Sequence, residues 1–428
     1  MNVFKEPEKS YKFFKYADPE PGKEVVISGT ASRFPKSNNL YELKDNIFNR
    51  KDCITDNGIN TEAHTMDPMG RILFEHIYEA IVDAGIHPTD FCEMRTGVFL
   101  GSCFSDTEKT WFYDEFQEGK SIKRSVNGFS IISCSKAFIN KRISHWLGVT
   151  GPTYNIDTAC SSSLFAMEHA YRSIHNGQCV YVIIAGSNLC LHLFVTLQFK
   201  RLGVLSEDGR CKCFDDDAVG YVRGEAVVVA FLQKRKNAQR FYETVIQAKT
   251  NWDGYKEPGI TFPSSQIQST LFKEFYDECG VTTACINYIE AHGTGTKVGD
   301  PEEINAIDQI FTKNRTKPLK VGSIKSNMGH TEPASGMCSI AKAITSMESG
   351  LIPPNINLNQ QHKKAFTEER IMAVTETFSL DGEYIAINSF GFGGANAHII
   401  LKSNPKTKVN KGLPDDDLPR LVTVSGRT

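Results

Sequence analysis

Apolar residues in this chain fall in short runs, several of them closing on glycine. Glu24 to Gly29 (EVVISG), Thr96 to Gly101 (TGVFLG), Tyr181 to Gly186 (YVIIAG) and Ala226 to Leu232 (AVVVAFL) read as buried strands. Tyr242 to Ala248 and Ile286 to Glu290 add two more. Asn39 to Phe48 and Met69 to Ala84 read as helices, and in the second Ile72, Ile77, Ala80 and Ile81 share one face. Strands alternating with helices predict an α/β fold whose helices cover a largely parallel sheet. Met1 to Lys23 is charged and Pro-bearing and reads as a flexible leader, and the polar stretch from 403 to 428 reads as a linker. No short-period repeat or low-complexity tract interrupts the pattern.

Composition narrows the class. The chain has 428 residues, 40% of them hydrophobic, and a formal net charge of −2, as an ordinary globular protein does. So even a balance gives no electrostatic reason to expect nucleic acid or an anionic membrane as partner. No apolar run approaches the roughly 18–20 residues that span a bilayer, and the N-terminus lacks the apolar core of a secretory signal. Twelve scattered cysteines fit reduced, mostly buried thiols and a cytoplasmic location. The close pair Cys211 and Cys213 has no second pair or histidine at ligand spacing, so no metal is expected.

Four segments carry chemistry. In TYNIDTACSSSLFAMEHA, Tyr154 and Ile156 alternate like a strand, and Leu164, Met167, Tyr171 and Ile174 then recur at helical spacing until Gly177. Cys160 therefore sits where a strand turns into the first turn of a helix, a place where unpaired N–H groups favour a thiolate. An isolated cysteine is usually a buried structural one, but small neighbours (Ala159, Ser161, Ser162, Ser163) leave a substrate room to reach the sulfur. YIEAHGTGTKVGDP carries His292 just past a strand, and VGSIKSNMGHTEPASG carries Lys325 and His330 in the same way. Two histidines so placed suit one shared pocket better than two structural roles. INSFGFGGANAH supplies glycines for tight turns beside a ligand, with Phe390 and Phe392 as candidate pocket walls.

DTACSSS, EAHGTGT, KSNMGH and NSFGFGG, in that order, resemble the signature set of the β-ketoacyl synthases (ketosynthases) of the thiolase-like superfamily. The match runs from about Val25 to Leu401. AHTMDPMGR, YEAIVDAG, KVGDPEE and GHTEPASG are most similar to animal-type (type I) fatty acid synthases, and polyketide synthase ketosynthases are a similar alternative.

The resemblance implies a duplicated fold, a five-layered α/β/α/β/α sandwich. The ketosynthase domain would span 24–402 as two halves, 24–235 and 236–402. It implies a decarboxylative Claisen condensation of an acyl group on Cys160 with a malonyl thioester. Both substrates would arrive on the phosphopantetheine arm of an acyl carrier protein, with no bound cofactor, and the chain would form a homodimer. Cys160 would be the nucleophile, His292 and His330 the enolate-stabilising pair, and Lys325 a residue holding the pocket's hydrogen bonds. The N–H groups of Cys160 and Phe392 would form the oxyanion hole. Thr294, Thr296, Phe390, Phe392 and Asn396 would contact the pantetheine arm or acyl chain. Asp215 and Glu225 fit the family pattern and are expected to pair structurally around Arg223, while His64, His87 and His362 match no catalytic motif.

The chain also departs from the family. Several dozen residues built around F-D-A-x-F-F are missing between the first helix and Met66-Asp67-Pro68, and Lys141 and Ala226 stand where Asn and Gly are usual. That shortening leaves a second expectation, a non-catalytic or truncated partner of a synthase that lacks an entrance segment.

Overall fold

A computed structural model describes residues 20–54, 66–108, 133–313, 315–361 and 364–404, with two short stretches at 408–409 and 413–414. Residues 1–19 of the leader, most of the linker, His64 and His362 lie outside the described residues.

The first half contains β1 (Val25–Arg33), α1 (Leu40–Phe48), α2 (Pro68–Asp83), β2 (Thr96–Gly101), α3 (Lys136–Leu147), β3 (Thr153–Ile156), α4 (Ser162–His175), β4 (Tyr181–Asn188), α5 (Leu193–Arg201) and β5 (Ala226–Lys234). The second contains β6 (Glu243–Trp252), α6 (Ser265–Cys279), β7 (Ile286–Glu290), α7 (Gly299–Phe311), β8 (Leu319–Gly322), α8 (Ser335–Ser349), β9 (Ile371–Ala373), β10 (Tyr384–Phe390) and β11 (Ala395–Ser403). Local signals set these limits. Asn39 caps α1 by accepting the Glu42 N–H at 2.9 Å, and Asp67 caps α2 by accepting the Met69 N–H at 2.8 Å, with Pro68 at the first helical position.

Eleven strands form one hydrogen-bonded ladder in the order β9-β8-β7-β10-β11-β6-β1-β5-β4-β2-β3. The pairings repeat. In the first half β2 is parallel to β3 and β4, and β5 returns antiparallel to both β4 and β1. In the second half β7 is parallel to β8 and β10, and β11 returns antiparallel to both β10 and β6. The sheet is therefore mixed rather than largely parallel, because β5 and β11 run back along their neighbours. The halves join where Val25–Ile27 pairs with Glu243–Val245.

Side-chain alternation turns this ladder into five layers. Along β5, Val227, Val229 and Phe231 pack with Ile72, Ile77 and Ile81 of α2, whereas Val228, Ala230 and Leu232 point into a second core. That second core holds α4 and α8 together with Ile385 and Ile387 of β10 and Ile399 and Leu401 of β11. Ala386 and Ile400 face the opposite way, onto Phe272 and Phe275 of α6 and Ile304 and Ile307 of α7. The layers are thus helix, sheet, the buried pair α4 and α8, sheet, helix. No helix among the described residues is long and apolar enough to cross a membrane.

The middle layer is tight. A Cβ at Gly336 in α8 would lie 2.5 Å from Leu164 Cγ of α4 and 2.9 Å from Ser163 Oγ. Gly336→Ala is expected to destabilise the fold by about 1–3 kcal/mol, read as a fall in thermal midpoint. Gly70→Ala in α2, whose Cβ would meet only the flexible end of Met66, is expected to leave that midpoint unchanged or raise it.

Candidate active site

Cys160 lies on the short connection between β3 and α4. Ala159 takes a left-handed φ of 53°, an uncommon conformation for a residue with a Cβ, and so turns the chain sharply. Three hydroxyls tie the turn down. Ser162 Oγ accepts the Thr158 N–H at 2.9 Å, and Ser335 and Ser389 donate to the Cys160 carbonyl at 3.0 and 2.8 Å. The N–H groups of Phe392 and of Cys160 itself are directed at the sulfur.

His292 follows β7 by two residues, in a loop anchored by acids that the sequence analysis did not single out. Glu303 in α7 accepts the N–H groups of His292 and Gly293, both at 2.8 Å, and Asp300 accepts those of Thr294 and Gly295 at 3.0 and 3.1 Å. The signal was present in KVGDPEE: acids in the first turns of a helix are placed to accept backbone N–H groups. Lys325 Nζ, buried, donates to the His292 carbonyl at 2.6 Å.

His330 ends the loop before α8. Its Nδ1 accepts the Glu332 N–H at 3.2 Å, which leaves the ring proton on Nε2, a buried atom with no protein partner. Arg223 holds Glu332 through two hydrogen bonds of 2.7 and 3.0 Å. The expected pairing of Arg223 with Asp215 and Glu225 is thereby corrected. Asp215 instead accepts the backbone N–H groups of Asn359 and Gln360, and Glu225 accepts that of Cys190.

The structure brings Cys160, His292 and His330 together, with one donor atom of each within 4.8 Å of the others. That spacing resembles a metal-ligand set, but the Glu332 N–H on Nδ1 makes Nε2 of His330 a hydrogen-bond donor rather than a ligand. Burial, reinforced by the Lys325 charge, pulls both imidazoles well below the usual histidine range, so both are neutral. Burial, with the Glu332 charge acting in the same direction, pushes the Cys160 thiol up to about 12, against the opposing N–H of Phe392 and the charge of Lys325. This corrects the thiolate expected from the helix N-terminus. The resting sulfur is protonated, because burial outweighs the N–H groups of Phe392 and Cys160 and the Lys325 charge.

The three residues open onto a cavity of about 560 Å³ that Thr294, Thr296, Phe390, Phe392 and Asn396 also line. Thr294 and Thr296 hold their hydroxyls 3.1 Å apart, Phe390 is buried beside the His292 ring, and Phe392 is 45% exposed. Asn396 is buried, its amide group donating to Asn251 and Asp253 at 3.1 and 2.8 Å. His87 caps a short 3₁₀ turn away from the cavity, and Cys211 and Cys213 are buried and, among the described residues, belong to no cluster of three potential metal ligands.

The chain matches the family described as "Beta-ketoacyl synthase, N-terminal domain" over residues 56–238 and "Beta-ketoacyl synthase, C-terminal domain" over 242–359. "Ketoacyl-synthetase C-terminal extension" matches 360–428. It is 41% identical over 358 residues to a fatty acid synthase of Anser anser anser, covering 77% of this chain and 99% of that sequence. The chain belongs to the β-ketoacyl synthases. It is a ketosynthase domain, an acyl-transferring condensing enzyme. It is also 36% identical to compactin diketide synthase mlcB of Penicillium citrinum, but spans only 14% of that much longer protein. Among solved structures, the oxazolomycin ketosynthase domain of Streptomyces albus superposes with a TM-score of 0.81 at 27% identity, covering 90% of this chain and 76% of that one. The ketosynthase from module 6 of the bacillaene synthase of Bacillus subtilis 168 gives 0.79 at 30% identity, covering 89% and 72%.

The anchor of the ketosynthase's His292 loop has a measurable signature. Burial raises the Glu303 carboxyl from 4.5 to about 7. The folded state therefore holds this proton at pH values where the unfolded chain has released it, and stability from this group is lost as pH rises from about 4.5 to 7. Glu303→Gln removes that dependence. Its melting temperature relative to wild type is expected to rise between pH 5 and 8, by the equivalent of about 3 kcal/mol for a shift of this size. Parallel melting curves across that range would refute the assignment.

Proposed function

We propose that this ketosynthase performs a decarboxylative Claisen condensation of the fatty acid synthase type, with Cys160 as acyl carrier. The observation supporting this is the convergence of Cys160 with two neutral imidazoles at one cavity. In the first stage the Cys160 sulfur attacks an acyl thioester carbonyl, and the pantetheine thiol leaves carrying a proton. The N–H groups of Cys160 and Phe392 hold the tetrahedral oxyanion. In the second, the bond from malonyl carbon to carboxylate breaks, CO₂ departs, and the electron pair moves onto the thioester oxygen as an enolate. His292 and His330 stabilise that enolate by hydrogen bonding. Neutral rings suit the task, because loss of CO₂ generates the carbanion and no strong base is needed. The enolate carbon attacks the acyl-cysteine, and Cys160 leaves and is reprotonated from solvent. Lys325 orients His292 through its carbonyl, and Thr294 and Thr296 meet the pantetheine arm.

Acyl carrier protein is the proposed partner, with its phosphopantetheine arm delivering both thioesters, and no bound cofactor is involved. The chain is proposed to act as a cytoplasmic homodimer, with its two repeated halves dividing near residue 235. Identity to the goose protein at 41% against 36% for the compactin synthase favours fatty acid over polyketide substrates.

The test is to offer acyl and malonyl carrier protein to the purified chain, following acylation by mass spectrometry and CO₂ release. Cys160→Ala is expected to abolish acyl capture and condensation while leaving malonyl decarboxylation. His330→Ala is expected to suppress decarboxylation by roughly 10²–10³-fold, the usual effect of losing one such donor. A folded wild type that neither acylates nor decarboxylates would replace this reading with that of a non-catalytic partner of a synthase.

A further inference from the structure

The carboxylate anchoring the His292 loop is itself the end of a longer chain of hydrogen bonds. Asn388 on β10 donates its amide N–H to Glu303 Oε1 at 2.9 Å, and its Oδ1 lies 2.7 Å from Nδ1 of His398 on β11. Nε2 of His398 lies 3.1 Å from the hydroxyl of Tyr276 on α6. Asn388 and His398 are fully buried, and the His398 ring packs among Phe272, Phe275, Tyr276 and Phe311. Burial pulls its pKa down to about 3, so it is neutral and carries one ring proton.

One arrangement of protons satisfies every link. Glu303 accepts from His292 and Gly293 and so takes the Asn388 N–H as an acceptor too, which turns the Asn388 oxygen toward His398. That oxygen needs a donor, so the His398 proton is on Nδ1, and Nε2 accepts from the Tyr276 hydroxyl. Each donor in the row points the same way, from the outer helix layer toward the Glu303 carboxylate, which accepts the His292 and Gly293 N–H groups from its other side. Such a polarised row strengthens each bond in a low-dielectric interior.

We propose that Tyr276, His398 and Asn388 act as positioning residues for the condensation, orienting the Glu303 carboxylate and thereby the His292 ring. The inference rests on the ketosynthase reading of this site. The row explains a carboxylate with no facing cation in its own contacts. Asp300 lies on the same helix, and Lys325 Nζ is engaged with the His292 carbonyl. The Asn388 N–H and the two loop N–H groups are what favour the charged form against burial and Asp300. Loss of the row should make Glu303 easier to protonate, which weakens its hold on the loop at a pH where the intact enzyme is ordered.

The experiment compares His398→Phe, His398→Asn and Tyr276→Phe with wild type, measuring malonyl decarboxylation and acylation of Cys160 separately from pH 5.5 to 9. His398→Phe fills the aromatic surround but donates nothing. It is expected to lower decarboxylation about tenfold at pH 7, to move its acidic half-point upward by about one pH unit, and to leave acylation of Cys160 nearly unchanged. His398→Asn keeps a donor where Nδ1 stands and is expected to restore the wild-type pH profile. Tyr276→Phe is expected to give a smaller shift in the same direction. An unmoved half-point in both His398→Phe and Tyr276→Phe, with rate lost equally at every pH or only in step with melting temperature, would overturn the proposal. A wild type that acylates and decarboxylates confirms the reading beneath it, so failure of the row and failure of that reading give different results.

Discussion

Where α8 crosses α4, the absence of a side chain at Gly336 lets its backbone rest against Leu164 and Ser163. The Met337 N–H reaches Ser163 Oγ at 3.2 Å, and the Ser335 hydroxyl reaches the Cys160 carbonyl. One helix comes from each half of the chain, and each begins at the same end of the middle layer. The approach that packs the core therefore also sets the turn before α4 against the loop before α8. Cys160 and His330 are 170 positions apart in sequence and share a cavity because two buried helices touch. A larger residue at 336 would part the helices and the reacting groups together.

The electrostatics of the cavity follow from the same burial. An interior this dry discourages every charge that is not paired, which is why both imidazoles are neutral and the thiol keeps its proton. Two of the buried carboxylates are matched by a cation. Glu332 is fixed by Arg223 in a two-pronged pair, and Glu290 is paired with Lys342 at 2.9 Å while also accepting the Ile324 N–H. Buried pairs of this kind are weak evidence of stability. Their value here is positional, since Glu332 places the His330 ring and Ile324 begins the turn that carries Lys325. In the proposed mechanism, attack on a thioester relieves the constraint by moving the developing charge onto an oxygen beside the N–H groups of Cys160 and Phe392 rather than leaving it on sulfur.

Elements whose cues are local were legible in the sequence. Asn39, Asp67 and Pro68 mark helix starts, and the glycine-bounded apolar runs became strands within a few residues of their expected ends. The residues that converge on the cavity were legible as candidates too, since each sits in a compact motif past a strand. What escaped was long-range. The partner of Arg223 is Glu332, 109 residues on, and the donors to the Cys160 carbonyl are 175 and 229 residues away. No periodicity encodes such pairs. The thiolate expectation failed for a related reason: a helix start is visible in sequence, but the depth at which the fold buries it is not. The mixed sheet was hidden because an apolar run such as AVVVAFL reads alike in either strand direction.

The repeat of strand pairings explains why these particular positions carry chemistry. β2 corresponds to β7 and α4 to α8, so each half presents a strand end and a helix start to the same cavity. Two residues after β2 comes Cys103, and two residues after β7 comes His292; both line the cavity. Ahead of α4 stands Cys160, and ahead of α8 stands His330. The duplicated frame thus offers four chain ends around one space, and the halves have filled them differently. Cys103 is turned toward the Ala159 carbonyl and the Ser162 hydroxyl, and burial pushes its thiol further up than that of Cys160. It packs the elbow and takes no share of the charge. The second half supplies imidazoles at both of its ends, and those are the groups suited to holding an enolate without being charged beforehand. In the proposed mechanism a symmetric scaffold becomes a directional site in this way: one half holds the acyl group, and the other holds the enolate that attacks it.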